Sequence, residues 1–386
     1  MLGARIVVAG VSSGVGKTTV ATGLLAAFAQ RGTRVAAAKV GPDFIDAGYH
    51  ALACGRPGRN LDPWLCGPDA LVPLAARAAS GADLLVVEGV MGLFDGAVDG
   101  TPSSTADVAR LLDAPVVLVI DASAMSSSVA ALVRGYRDHD PGVRLAGVVL
   151  NRIGSDGHEQ VLREAIQPLG LPVVGCLRRD ETLVWRDRHL GLVPVAEHPA
   201  VVTRSLARLA GVVAARFDLE LVEAIARSAT VMAAPAASLP EFVGACRIGV
   251  ASGSAFTFMY TDNVEAFEAT GAEIVPFDPL HDRALPPSLD GLMIGGGFPE
   301  VYGKELAANE ALIADAAERI AFGLPTWAEC GGLLWLATDL DGHPMVGAVP
   351  TRARLGDRVV LGYREGRTTV HSPIGRAGTF VRGHEF

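Results

Sequence analysis

Gly10-Val11-Ser12-Ser13-Gly14-Val15-Gly16-Lys17-Thr18-Thr19 combines the residue types that phosphate chemistry needs. Glycines let backbone N–H groups approach anionic oxygens. A lysine after them reaches the terminal phosphates, and the next hydroxyl is placed for Mg²⁺. Ser13, Gly14, Val15, Gly16, Lys17, Thr18 and Thr19 are therefore the candidate nucleotide contacts. The strict form of the pattern wants glycine where Val11 stands, but the Gly14-x-Gly16-Lys17-Thr18-Thr19 core is intact. The alternative is a glycine turn that binds nothing. The apolar strand pattern before it and the helical pattern after it favour a phosphate loop at a helix N-terminus.

Two acidic segments follow predicted strands: Lys39-Val40-Gly41-Pro42-Asp43-Phe44-Ile45-Asp46, and Glu88 through Asp95. The carboxyl ends of parallel strands open onto the ligand crevice, so Lys39, Asp43, Asp46, Glu88 and Asp95 are expected near Lys17. Mg²⁺ needs only one or two protein carboxylates beside phosphate and water, which suits Thr18 with Asp46 and Glu88. Asp43, Asp46 and Asp95 are then candidates to orient a substrate, and Lys39 to join the nucleotide site. Taken singly, each acid also reads as an ordinary turn residue. Asn151, ending a later strand, reads equally as a purine contact or as an Asx-turn.

A second chemistry lies in the C-terminal half. Ala328-Glu329-Cys330-Gly331-Gly332-Leu333 has the strand–turn–helix layout of a nucleophile elbow, with small residues after the thiol. Gly295-Gly296-Gly297 follows another strand, and the backbone N–H groups of Gly296 and Gly297 are candidate oxyanion donors. Cys330 is the candidate nucleophile. Cys54, Cys66, Cys176 and Cys246 read as small core residues.

The elements that must position these groups are legible as near-continuous apolar runs: Arg5–Ala9, Arg34–Lys39, Leu84–Glu88, Val116–Ile120, Leu145–Leu150 and Val173–Cys176. Helical patterns separate them at Lys17–Gln30, Ser127–Asp138 and His158–Pro168, and one long pattern covers Ala200–Arg227. Alternating strands and helices predict right-handed βαβ units and an open parallel sheet. A second series starts at Arg247–Ala251 and continues through Ala272–Pro276, Gly291–Ile294 and Pro325–Ala328. The expected organisation is a phosphate-loop domain over 1–228, a linker over 229–245 and a second α/β domain over 246–386.

Composition narrows the class. Half of the 386 residues are apolar, which excludes a disordered chain. A net charge of −9 with no basic stripe argues against nucleic acid. No apolar run approaches the roughly 18 residues of a membrane span. Five scattered cysteines without a CxxC pair argue against disulfides and zinc. A cytoplasmic protein is expected.

SSGVGKTT, KVGPDFID, VEGVMGLFDG, GGGFPE and WAECGG, in that order, resemble the a,c-diamide synthase family that acts on cobyrinic and hydrogenobyrinic acids, over essentially the whole chain. The resemblance implies a dethiobiotin-synthetase-like P-loop domain joined to a Triad-type class I glutamine amidotransferase domain. It further implies ATP and Mg²⁺ as cofactors and a corrinoid and L-glutamine as substrates, with a homodimer as an option. The activity it implies is a carbon–nitrogen ligase of cobalamin biosynthesis. In one departure, the family's terminal block resembles G-H-E-F-H, and the sequence ends at Gly383-His384-Glu385-Phe386. The resemblance places the partner of Cys330 at the next residue, so the expectation is a truncated sequence or impaired glutamine hydrolysis, and His384 is not given that role. The alternatives are a diamide synthase for another tetrapyrrole, such as nickel-sirohydrochlorin, or a partitioning-type P-loop ATPase. Against the latter stand Val11-Ser12-Ser13, which lacks that class's early lysine, and the Cys330 segment.

Overall fold

A computed structural model describes residues 1–179, 187–188, 191–192, 199–235, 244–356 and 360–385. The chain divides into two units, Met1–Ala237 and Ser238–Phe386.

The apolar runs of the first unit form β1 (Arg5–Gly10), β2 (Val35–Val40), β3 (Asn60–Leu61), β4 (Leu84–Glu88), β5 (Val116–Asp121), β6 (Leu145–Ile153) and β7 (Val173–Arg178). They lie in the order β3-β2-β4-β1-β5-β6-β7, every neighbouring pair parallel. β1 and β4 are buried along their whole length, as strands covered on both faces must be. One face packs Val7, Leu85, Val87 and Leu118 against one set of helices, and the other packs Ile6, Val8, Val86 and Val117 against Val20, Leu24 and Phe28. These last belong to α1 (Lys17–Gln30), which runs on from the glycine loop. α2 (Ile45–Cys54) follows β2.

The long helical pattern after residue 199 is broken in two. α3 (Pro199–Arg216) stops at Phe217, and a second helix, Leu219–Arg227, restarts behind Asp218, whose side chain accepts the Leu221 N–H. Tertiary contact overrides helix propensity here. The Phe217 ring lies against Gly175 of β7, where an added Cβ would come within 2.4 Å of it.

Arg5, at the start of β1, is fully buried. Its guanidinium donates to the carbonyls of Leu112, Leu2, Gly3, Asp113 and Thr230. With the antiparallel bridge between Leu2 and Met232, it ties the first residues of the expected linker to the amino-terminal end of the central strand. The rest of that linker, 236–243, lies outside the described residues. Arg5→Met keeps the length but removes every donor, so urea unfolding should show a loss of about 3 kcal/mol. A change below about 0.5 kcal/mol would mean that the clamp carries no stability.

The second unit repeats the logic on a smaller scale. β8 (Cys246–Ala251), β9 (Ala272–Phe277), β10 (Gly291–Ile294) and β11 (Thr326–Ala328) form a parallel sheet ordered β9-β8-β10-β11. Its core gathers Phe256, Phe277, Ile294, Leu306, Leu312 and Trp335. The short extended pieces after Cys330 become two-residue strands and an antiparallel ribbon of Gly362–Arg367 with Phe380–Glu385. Among the described residues no helix is long and apolar enough to cross a membrane.

Candidate active sites

The glycine loop leaves the carboxyl end of β1, at the centre of the sheet. Gly14 and Gly16 have φ of 75° and 97°, a region where a side chain is strained. A Cβ on Gly16 would also come within 2.2 Å of Asn151 Nδ2. Asn151, buried at the end of β6, donates from Nδ2 to the Val15 carbonyl at 2.8 Å, and its Oδ1 accepts the Arg152 N–H. Its amide therefore braces the loop. Ser13 and Gly14 are exposed, Gly16, Thr18 and Thr19 half-buried, and Val15 buried beneath them.

Lys17 folds back over the loop, Nζ donating to the Ser12 carbonyl at 3.1 Å. Burial, then the neighbouring charge of Lys39, pushes its pKa down to about 8, against the pull of Glu88, Asp46 and Asp95. An arriving phosphate favours the charged form, so binding between about pH 8 and 10 should take up a proton. ATP affinity should accordingly fall as pH rises through about 8. Calorimetry in two buffers of different ionisation heat measures that uptake, and identical heats above pH 8 would refute it.

Behind the loop four predicted residues meet. Thr18 Oγ1 donates to Glu88 Oε1 at 2.6 Å and lies 3.3 Å from Asp46 Oδ2. Lys39 Nζ sits 2.7 Å from Asp46 Oδ2 and 2.8 Å from Glu88 Oε1, and also donates to the Gly89 carbonyl. Burial alone would raise Glu88. The Lys39 charge and the hydrogen bonds from His50 and Lys39 outweigh it and hold the carboxyl well below its usual range. Burial likewise opposes the Lys39 ammonium, but Asp46 and Glu88 hold it charged.

Asp43 and Asp95 stand at the rim. Asp43 Oδ1 accepts the Ile45 N–H at 2.8 Å, opening α2. Its carboxyl is pushed up to about 6, by desolvation first and then by the charge of Asp46. Asp95 is exposed, accepts the Gly92 N–H, and its charge acts on Lys17. Sequence reasoning missed His50, whose Nε2 lies 2.6 Å from Glu88 Oε2. The only signal was its place one turn after Asp46 in a helix that opens at the strand end.

Thr18, Asp46 and Glu88 present hard oxygen donors, which suit Mg²⁺. Among the described residues no group of three or more His, Cys, Asp or Glu is arranged to hold a metal ion. The set fits a cation that takes its remaining oxygens from phosphate and water.

In the second unit Cys330 has φ 50° and ψ −118°, immediately before the helix α4 (Gly331–Leu336). A non-glycine residue held there is strained, as an elbow requires. Gly332 cannot carry a side chain, because a Cβ would meet the Ile294 carbonyl at 2.3 Å. Gly297 is equally confined by the Ala255 carbonyl at 2.1 Å. Burial raises the thiol pKa, hydrogen bonds from the backbone of Gly297 and Gly331 lower it, and Glu329 and Glu300 add to the rise. Gly296 differs: its N–H donates to the Phe258 carbonyl at 3.2 Å. Gly297 and Gly331 thus aim N–H groups at the sulfur, while that of Gly296 is engaged elsewhere. His384 pairs with Tyr363 in the ribbon, the rings 5.6 Å apart.

One chain thus carries a glycine-loop unit suited to phosphate and, after it, a unit with a strained thiol suited to nucleophilic attack. Residues 6–192 match the family model for the CobQ/CobB/MinD/ParA nucleotide binding domain, and residues 247–386 that for the CobB/CobQ-like glutamine amidotransferase domain. Hydrogenobyrinate a,c-diamide synthase of Streptomyces coelicolor is 49% identical, over 99% of this chain and 86% of that protein. Its counterpart from Thermobifida fusca is 46% identical over 99% and 84%. Cobyrinate a,c-diamide synthase of Syntrophotalea carbinolica is 44% identical over 99% and 85%. The chain belongs to the a,c-diamide synthase family of amidating ligases.

Proposed function

We propose that the protein uses ATP and glutamine to convert the a- and c-side-chain carboxylates of a corrinoid to amides in the cobalamin pathway, with hydrogenobyrinate the preferred substrate. The observation that carries this reading is the near-full-length identity of 46–49% to relatives named for that substrate, against 44% to the cobyrinate enzyme of Syntrophotalea carbinolica.

The reading assigns roles residue by residue. Backbone N–H groups over Ser13–Thr19 cradle the phosphates of ATP, with Lys17 on the terminal ones. Thr18, Asp46 and Glu88 would hold Mg²⁺, which supplies charge neutralisation when bound. Lys39 stands beside that set. Asp43 and Asp95 face the corrinoid with Asp46. The substrate carboxylate attacks the γ-phosphorus of ATP, ADP leaves, and an acyl phosphate forms; ammonia then displaces phosphate at the carbonyl carbon. Phosphoryl transfer of this kind asks mainly for positioning and charge balance, and the buried Lys17 and Lys39 supply cationic charge. The ammonia comes from glutamine: Cys330 attacks the amide carbon while Gly297 and Gly331 N–H groups, with Gly296 shaping the turn, hold the developing oxyanion; the C–N bond breaks to release ammonia, and water hydrolyses the glutamyl thioester to glutamate and the free thiol.

The proposed organisation is a synthetase domain over 1–228, a linker over 229–245 and an amidotransferase domain over 246–386, in a cytoplasmic protein whose proposed assembly is a homodimer. The product mass after incubation with hydrogenobyrinate, cobyrinate, ATP, Mg²⁺ and glutamine tests the function. Each amidation lowers the mass by about one unit, since OH becomes NH₂. A two-step decrease on hydrogenobyrinate is expected. No change with either corrinoid, alongside change with nickel-sirohydrochlorin, would transfer the reading to that substrate.

A further inference from the structure

Glu88 is fully buried, and its two oxygens are served by different partners. Oε1 accepts from Thr18 Oγ1 and Lys39 Nζ, at 2.6 and 2.8 Å. Oε2 lies 2.6 Å from His50 Nε2. His50 is 1% exposed, and its Nδ1 has no hydrogen-bond partner. An ionised carboxylate only accepts, so the ring hydrogen sits on Nε2. A buried ring that leaves one nitrogen unserved in order to give the other to a single carboxylate oxygen is not explained by packing, since an apolar side chain would fill the space without an orphaned acceptor.

We propose that His50 is a positioning residue for the cation site: it ties down Glu88 Oε2 so that Oε1 stays turned toward Thr18. The terminal torsion of a glutamate is soft and two-fold. Without the imidazole, the ammonium of Lys39 draws both oxygens to itself and the oxygen beside Thr18 is lost. Asp46 and His50, one turn apart on α2, thus serve the same site from one helix face, the first within it and the second from behind. This rests on the reading of Thr18, Asp46 and Glu88 as the Mg²⁺ set.

The test is a titration of Mn²⁺ into the protein·ADP complex, with free Mn²⁺ read by electron paramagnetic resonance. His50→Ala should weaken Mn²⁺ binding by about tenfold to a hundredfold, while metal-free ADP affinity stays within about twofold. In the amidation assay the Mg²⁺ needed for half-maximal rate should rise by the same factor, with kcat at saturating Mg²⁺ within about threefold. A purely structural role would lower kcat without rescue by metal. His50→Gln, whose amide N–H can donate to Oε2, should bind Mn²⁺ within about threefold of the parent. Unchanged Mn²⁺ affinity in folded His50→Ala overturns the proposal, as does a His50→Gln as impaired as the alanine variant. Where alanine does not fold, His50→Gln decides alone: affinity within about threefold keeps the proposal, and a loss of about tenfold ends it. Glu88→Gln separates the two readings. If it loses Mn²⁺ while His50→Ala does not, only the role of His50 falls. If it binds Mn²⁺ as the parent does, the cation-site reading falls and the proposal with it.

Discussion

Lys17→Ala should abolish amidation with glutamine and with free ammonia alike, by about a thousandfold or more. Both nitrogen donors need the same activated carboxylate, so a lesion in activation cannot be bypassed by changing the donor. Lys17 is the only lysine within the loop, and its Nζ already lies over the loop's backbone, 3.1 Å from the Ser12 carbonyl. Folding should survive, because the packing face of α1, with Val20, Leu24 and Phe28, is untouched. A circular-dichroism melt with an ammonia-driven assay separates the two effects. Near-parental turnover at saturating ATP would remove the phosphate loop from the chemistry.

Cys330→Ala should do the opposite and split the reaction. Glutamine-dependent amidation should drop to background, a loss of about a thousandfold or more, because no other group can form the thioester. Ammonia-dependent amidation at raised pH should persist, since the first unit makes no use of the thiol. Alanine keeps the Cβ and therefore the same backbone strain at φ 50°, so the change removes only the sulfur and its contacts and the fold should persist. Loss of both activities in a folded variant would place Cys330 in the structure of the synthetase reaction. Persistence of glutamine use would disqualify it as the nucleophile.

The strands were readable because burial on both faces imposes continuous apolar runs, and β4 has the predicted ends, Leu84 and Glu88. The glycine loop was readable because its positive φ and close backbone approach admit little besides glycine. What escaped was set by partners distant in sequence. His50 meets Glu88 across 38 residues, and the sequence marks it only by its place one turn after Asp46. Arg5 reads as the charged lead-in to a strand, yet it is buried because five carbonyls converge there. The break at Phe217 comes from a glycine on β7, not from a local stop signal. Gly296 and Gly297 are alike in sequence, and only the pairing with Phe258 distinguishes their N–H groups.

Lys39 carries one more consequence. Two buried acids side by side are ordinarily a fault line in a folding chain, tolerated once a cation arrives. Here the countercharge is covalently part of the chain, contributed by the neighbouring strand, within 2.8 Å of both acids. A newly made polypeptide can therefore close its first unit with this pair of acids already neutralised by its own lysine, without an added cation. Melting curves of the nucleotide-free protein recorded with and without a chelator should superimpose.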